Sequence, residues 1–373
     1  MDGNFAKVAL FYVFCWGCIL VTFCMFSYII KKFSRVWCIR LSTFGLLAGI
    51  ILIMLFQDDL EGWYLILGAI WGVADGIYWC SMHTFTSEAM AGKKMAGYTA
   101  WYIGISYFTR VVFPFTLGAV IQRVGFGPAV AIVTALAVLL LIFTLILRDQ
   151  RKNGNRGFSM RAFFDHMRSK KIARPLWTQY GIQFFYGLFS IATLCTTILV
   201  FTSVNDNFTL GYLASICAGA SIIFLTIYKS IKSKRAKVWV YHILSALPLV
   251  CAVALLFHLS VVTVILCQVG YWAFKPAVQT ELERARMNLM EDFGAEHLHT
   301  EGLMFCETAY GLARGIGLLA IILAYYSGVF YVFQIIPVIV MATTFTAAIL
   351  LHRWNKKYIM NKHTLLDHDK GEI

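Results

Sequence analysis

The sequence predicts an all-α polytopic membrane protein with about 11 transmembrane helices, and three observations carry that prediction. Of 373 residues, 60% are hydrophobic and only 14% charged, where soluble domains carry roughly a quarter charged. Mean hydropathy is +0.72. The 32 Lys and Arg outnumber the 19 Asp and Glu for a formal charge of +13, yet they fall in short clusters between long apolar runs. Positive charge retained in cytoplasmic loops has that distribution. Ordinary soluble enzymes, nucleic-acid binders and disordered scaffolds are excluded by the composition.

A helix needs about 20 predominantly apolar residues to cross the hydrocarbon core. Eleven stretches qualify: 8–30, 38–57, 62–87, 97–122, 126–147, 175–202, 208–229, 237–258, 260–281, 303–327 and 329–352. The first is too long for a signal peptide and lacks its cleavage site. Basic residues follow alternate spans. Lys31, Lys32, Arg35 and Arg40 follow the first, Lys93 and Lys94 the third, and Lys232, Arg235 and Lys237 the seventh. Arg353, Lys356 and Lys357 open the tail, and the intervening loops hold almost no basic residue. The bias predicts a cytoplasmic C-terminus in a cell (inner) membrane, and an odd number of spans puts the N-terminus outside.

The longest polar stretch divides the chain into an N-terminal bundle of five spans (1–147), a cytoplasmic linker (148–174), a C-terminal bundle of six (175–352) and a tail (353–373). Within the linker, Ser159 predicts the N-cap of a short interfacial helix whose apolar face is Met160, Phe163, Phe164 and Met167.

The halves resemble each other. Tyr78-Trp79 and Glu88 recur as Tyr271-Trp272 and Glu281, all at an offset of 193. Arg35-Val36-Trp37 recurs as Lys237-Val238-Trp239, and Arg110 in the fourth span has a counterpart in Arg314 of the tenth. The same order at matching depths predicts a parallel duplication of about six spans. Parallel duplication needs an even number of spans per repeat, so the first half is expected to lack its opening helix.

With these features the chain resembles the major facilitator superfamily in its bacterial twelve-helix form, with the first helix absent. The resemblance covers nearly the whole chain. It rests on Lys31-Lys32-Phe33-Ser34-Arg35, on the run from Gly72 through Asp75 to Tyr78-Trp79, on Arg110, Pro114 and Gly118, and on the long central loop. It implies a two-bundle fold around a path for a small-molecule substrate. The chain also departs from the family. Ser27, Lys31 and Ser34 stand where the family's loop carries Gly, Asp and Gly, which removes the aspartate of its intracellular charge lock. Gly68 replaces an expected arginine, and the glycine–proline motif of the family's fifth helix is only half present.

Ionisable side chains at mid-bilayer are costly and mark a partner or a wet pathway. Asp75 and Arg110 are predicted at similar depth on consecutive helices, where an ion pair is possible. Tyr78, Trp79, Met82 and Thr86 continue the Asp75 face and either line a cavity or pack on a neighbour. In the second half, Lys275-Pro276 is expected to interrupt the ninth span, and Glu307 and Arg314 share a face of the tenth. His83 is either a hydrogen-bonded seam residue or a carrier of a coupling proton. Glu88 and Glu281, beside the basic loops, are expected to gate or pack with Arg35 and Arg40.

Other patterns carry less. Cys15-Trp16-Gly17-Cys18 is formally C-x-x-C, but mid-span it predicts buried small hydrophobes. The run from Glu291 to Glu301 is rich in metal-ligand types and is expected to be a solvated loop. No phosphate-binding loop, nucleophile elbow or H-E-x-x-H is present. Neither enzyme activity nor a cofactor is therefore expected. The function expected is secondary active transport, proton-coupled and in the direction of efflux of a drug-like compound or metabolite. Solute uptake is the alternative. A transport-incompetent membrane protein is the third reading; eleven spans leave one cavity wall either open to lipid or filled by a partner helix that replaces the missing span.

Overall fold

The structure is a computed structural model that describes residues 5–56, 59–89, 93–148, 157–169, 173–203, 207–258, 260–293, 298–326 and 331–369. Within these, the side chains of 86–89, 93–104 and 355–369 are among those outside the description. The described residues form α1 (Phe5–Ile29), α2 (Arg35–Leu55), α3 (Leu60–Ala89), α4 (Lys93–Val124), α5 (Phe126–Ile146), α6 (Met160–Ser169), α7 (Ala173–Ser203), α8 (Asn207–Ser230), α9 (Lys234–Phe257), α10 (Val261–Phe293), α11 (His299–Tyr326) and α12 (Val332–Asp369). Each expected span is a helix, and ten of them are long and apolar enough to cross a membrane. The eleventh, α4, is 32 residues long and carries Arg110 as the one charged residue between Gly97 and Gln122, and side chains in its first part lie outside the described residues.

Local chemistry sets the boundaries. Ser34 and Ser233 accept the Trp37 and Ala236 N–H groups with their hydroxyls and so cap α2 and α9 after the two equivalent basic loops. Ser159 caps α6 in the same way, accepting from the Ala162 N–H at 3.2 Å. The apolar face of α6 is covered by protein, not by an interface. Phe163 and Met167 are buried among Leu176, Leu289, Leu298 and Phe305.

One expectation fails at Pro276. It does not interrupt its span, because α10 runs unbroken from Val261 to Phe293. A proline leaves the carbonyl four residues earlier without its helical donor. That carbonyl belongs to Trp272, and the Ser221 hydroxyl of α8 donates to it at 2.6 Å. The orphan is satisfied from a neighbouring helix, so α10 continues.

Packing follows the repeat. In the first half, α3 packs on α1 and α2, and α5 on α2 and α4; in the second, α10 packs on α8 and α9, and α12 on α9 and α11. The halves meet at α1 against α11, at α4 against α8 and, less extensively, at α3 against α11. Apart from the last, exchanging α1–α5 for α8–α12 converts each of these contacts into another of the set. Helix α7 packs against α10, α11 and α12, and among the described residues no helix covers the equivalent faces of α3, α4 and α5. Correspondingly, α5 buries only Ala129, Val130 and Thr144.

Close approach of backbones replaces hydrophobic driving force inside a bilayer. Gly68, Gly72 and Gly76 form a small-residue stripe on α3, unremarked in the sequence, against which α1 lies. A Cβ on Gly72 would sit 2.2 Å from the Cys15 carbonyl oxygen, and one on Gly76 would sit 2.8 Å from that of Ile19. Gly72→Ala is therefore expected to push α1 off α3 at a cost of about 1–3 kcal/mol, read as a lower melting midpoint of the purified chain. Gly219→Ala, where a Cβ meets nothing within 4 Å, is the matched control. Equal midpoints for the two variants would refute the account of this seam.

Candidate functional site

Asp75, Arg110, Lys275 and Arg314 lie on α3, α4, α10 and α11, each on the order of 20–27 Å from the basic-loop end at about 1.5 Å per residue. The Arg314 guanidinium stands 3.9 Å from the Tyr310 ring centroid and 5.0 Å from that of Trp16. Trp16 belongs to α1, so this cation reaches across the seam between the halves. Tyr310 is held in turn, its hydroxyl 3.1 Å from Ser190 Oγ and its ring stacked on Tyr186.

Across the same space, Trp272 of α10 takes a cation from each half. Lys275 Nζ is 4.8 Å and the Arg110 guanidinium 5.6 Å from its ring centroid. Lys275 also lies 5.7 Å from Tyr271, which stacks on Phe189 at 4.2 Å. Arg110 and Arg314 both act electrostatically on Lys275, so the three cations form one constellation.

Asp75 joins it through Arg314, the cation within its electrostatic reach. That replaces the expected pairing with Arg110. The reason is packing: α11 lies against α3, whereas α4 is drawn away along α8.

The remaining expected residues sit elsewhere along the seam. Tyr78 meets Trp79 edge-on at 5.3 Å, and Trp79 stacks on His83 at 5.5 Å. Trp79 packs with Met304 of α11 against Phe23, Ile30, Cys38, Ile77 and Cys80, the packing alternative for that face. His83 faces the charge of Arg286 on α10, and Glu307 acts on Cys24 and Cys80, two turns nearer the basic-loop end than Arg314.

At the basic-loop end the sequence reading missed a residue. Glu301, expected in a solvated loop, is fully buried in the first turn of α11. Lys31 Nζ donates to both its carboxylate oxygens at 2.5 and 2.6 Å, and the Ser159 N–H donates to it at 2.9 Å. Lys31 also lies 5.6 Å from the Phe158 ring, so the clamp ties α1, the lead into α6 and α11 together. The signal available was a glutamate at a helix N-terminus, where the dipole favours negative charge. Lys31 occupies the position where the family resemblance called for aspartate, so a charge lock is present with its polarity reversed.

The expected gate residues divide. Arg40 donates to the Thr144 and Leu145 carbonyls at 3.1 Å, closing the end of α5. Its cause is the packing of α2 on α5. Glu281 accepts the Tyr228 hydroxyl at 2.9 Å. Arg35 stands half-buried in the first turn of α2, and the Glu88 side chain lies outside the described residues.

With side chains only 10% and 0% exposed, the Lys31–Glu301 pair is costly to break, because one partner left alone is a buried uncompensated charge. Glu301→Ala is expected to destabilise the chain by about 3–5 kcal/mol, measured as a fall in melting midpoint. Combining Lys31→Glu with Glu301→Lys restores part of the loss, since a lysine offers the Ser159 N–H no acceptor. Additive losses in the double variant would show that the two side chains are uncoupled.

The architecture and this seam have counterparts in known proteins. FucP in its outward conformation, the E. coli fucose:proton symporter, shares 14% identity and a TM-score of 0.55, over 93% of this chain and 90% of that one. A bacterial homologue of the iron transporter ferroportin in its inward-facing state gives a TM-score of 0.58 at 13% identity, over 93% and 89% of the two chains. At such identities the likeness is one of fold. In sequence, the chain is 23% identical over 252 residues to YqgE of Bacillus subtilis, a protein without assigned function. That match takes in 66% of this chain and 57% of the relative's length. The sequence profile of the Major Facilitator Superfamily matches residues 6–285, and over that majority of its length the chain belongs to this family of membrane transporters.

Proposed function

We propose that the protein is a secondary active transporter that moves a small organic solute by alternating access, coupled to protons, in the direction of efflux of a drug-like compound or metabolite. The observation that carries this reading is the gathering of Asp75, Lys275, Arg110 and Arg314 at mid-depth between the two sets of helices. Ionised groups held there are expensive unless a wet pathway or a ligand uses them. Rocking of one half against the other opens the site to each side in turn. The Lys31–Glu301 clamp would hold the cytoplasmic side shut, given cytoplasmic basic loops and C-terminus and an external N-terminus. Asp75, a carboxylate set against a single cation and inside the cluster, is the residue we assign to the coupling proton. The fold it shares with a fucose:proton symporter leaves uptake as the alternative direction.

A second reading, a transport-incompetent membrane protein, draws on one observation: no described helix covers the faces of α3, α4 and α5 equivalent to those that α7 covers. On the transporter reading, an apolar helix supplied by a partner closes that wall.

The two readings separate in everted membrane vesicles carrying an imposed proton gradient and a fluorescent pH probe. A panel of amphipathic dyes and metabolites is added to vesicles holding the full chain. Transported solutes are expected to dissipate the gradient, and Asp75→Asn is expected to abolish that dissipation while solute counterflow persists. Proton movement unchanged by Asp75→Asn removes the residue from coupling. Absence of counterflow for every solute favours the incompetent protein.

A further inference from the structure

We infer that the seam between α4 and α8 holds an anionic phospholipid, with one acyl chain in a groove between the two helices and the phosphate set toward Arg123. This interaction surface goes beyond the transporter reading and stands without it.

Helices α4 and α8 touch backbone to backbone at Gly211, where a Cβ would strike the Pro114 carbonyl oxygen. Beside that contact runs a groove of about 340 Å³, lined by Val111, Val112 and Phe115 of α4 and by Tyr212, Ser215 and Ile216 of α8. Organic ligands occupy sites of about 300–1,000 Å³, so this one suits a single chain and not a bulky body. Phe115 lies about 140° around the helix from Arg110, at 3.6 residues per turn, and Arg110 is the residue that meets Trp272 across the central cluster. The groove therefore faces away from the cluster, toward lipid. Phe115, Tyr212 and Ile216 are 43%, 49% and 41% exposed there.

The lining selects hydrocarbon. The Ser215 hydroxyl donates to the Gly211 carbonyl of its own helix at 2.9 Å, and Val111, Val112, Phe115 and Ile216 have no polar side-chain atom to offer. A polar body in the groove would lose hydrogen bonds without replacement, and an acyl chain loses none. Because each half supplies three of the six lining residues, a seated chain ties the halves together in this arrangement.

Arg123 supplies the other end. It lies in the last turn of α4, exposed, eleven residues beyond Val112. That is close to three full turns, so it shares the Val112 face about 16 Å further along, at the end away from the basic loops. A helix C-terminus attracts a cation, yet α2, α7, α9 and α11, which end on the same side, have no basic residue in their last turns. Arg123 is the one Lys or Arg in the five loops of that side and the helix turns flanking them. Among the described residues it makes no ion pair. A guanidinium offers parallel donors that fit a phosphate, and its charge favours a lipid with a net negative head.

The test uses the full chain in phosphatidylcholine nanodiscs doped with a photoreactive lipid, either phosphatidylglycerol or phosphatidylcholine, whose diazirine sits midway along one acyl chain. Labelled peptides are identified by mass spectrometry. Labelling by the phosphatidylglycerol probe is expected to concentrate on residues 111–115 and 212–216, about tenfold over the lipid-facing surface of α5 around Leu139. Val112→Trp and Ile216→Trp fill the groove from opposite walls, and each should remove most of that excess in a chain whose melting curve shows it folded. Leu139→Trp should not. Arg123→Gln should lower phosphatidylglycerol labelling to the phosphatidylcholine level, and Arg161→Gln, on the exposed side of α6, should leave it unchanged. Even labelling of α4, α5 and α8 overturns the inference, as does an excess that survives both tryptophan variants. Equal labelling by the two probes, or no effect of Arg123→Gln, overturns the anionic partner. Crosslinks joining two chains at these residues would give the groove to a second copy and overturn it as well.

Discussion

An ionised side chain in hydrocarbon has no water to solvate it, and the middle of this protein is arranged around that constraint. Arg314 reaches from the second half to Trp16 of the first, and Arg110 reaches from the first to Trp272 of the second. Each cation thus settles on an aromatic face supplied by the opposite set of helices. The charges that would be a liability facing lipid become contacts across the seam between the halves. Aromatic faces are well suited to that role. They attract a cation over a broad area and release it without breaking a directional bond.

The ends of the seam use a different chemistry. At the basic-loop end a buried carboxylate is fully engaged by an ammonium and a backbone N–H, three elements meeting at Glu301. The aspartate of the family's lock is missing from the loop after α1, but a lysine in its place and a glutamate on α11 restore an attraction of opposite polarity. An ion pair depends on the product of two charges, so exchanging both signs conserves it. A departure at one position was therefore half of a compensated pair, invisible until the facing residue was known.

Helix packing explains why the middle and the end are joined. The α1–α3 contact is a backbone contact along Gly68, Gly72 and Gly76, so α1 carries Trp16 and Lys31 at a fixed height beside α3 and Asp75. Helix α11 carries Arg314 and Glu301 at matching heights. Within these two helices the distance between the cluster and the clamp is set by helical rise alone, and a rigid rotation of one half alters both together.

Much of the fold was legible in the sequence because it follows from solvent. Long apolar runs must be helices in a bilayer, where every backbone N–H and C=O has to be satisfied internally. The duplicated Tyr-Trp, Glu and Arg positions likewise anticipated which helices would correspond. The depth of Asp75, Arg110, Lys275 and Arg314 was readable for the same reason, as position along a helix of known rise. Their partners were not. Asp75 lies within the electrostatic reach of Arg314 because α11 packs against α3, Pro276 leaves α10 intact because Ser221 stands opposite, and α6 buries Phe163 because Phe305 and Leu176 are there to receive it. Sequence alone determined which segments enter the membrane and where along them the charges fall, since both depend on the chain and its solvent. Which charge faces which partner was decided by tertiary structure, because it depends on helix rotation and on contacts between residues hundreds of positions apart.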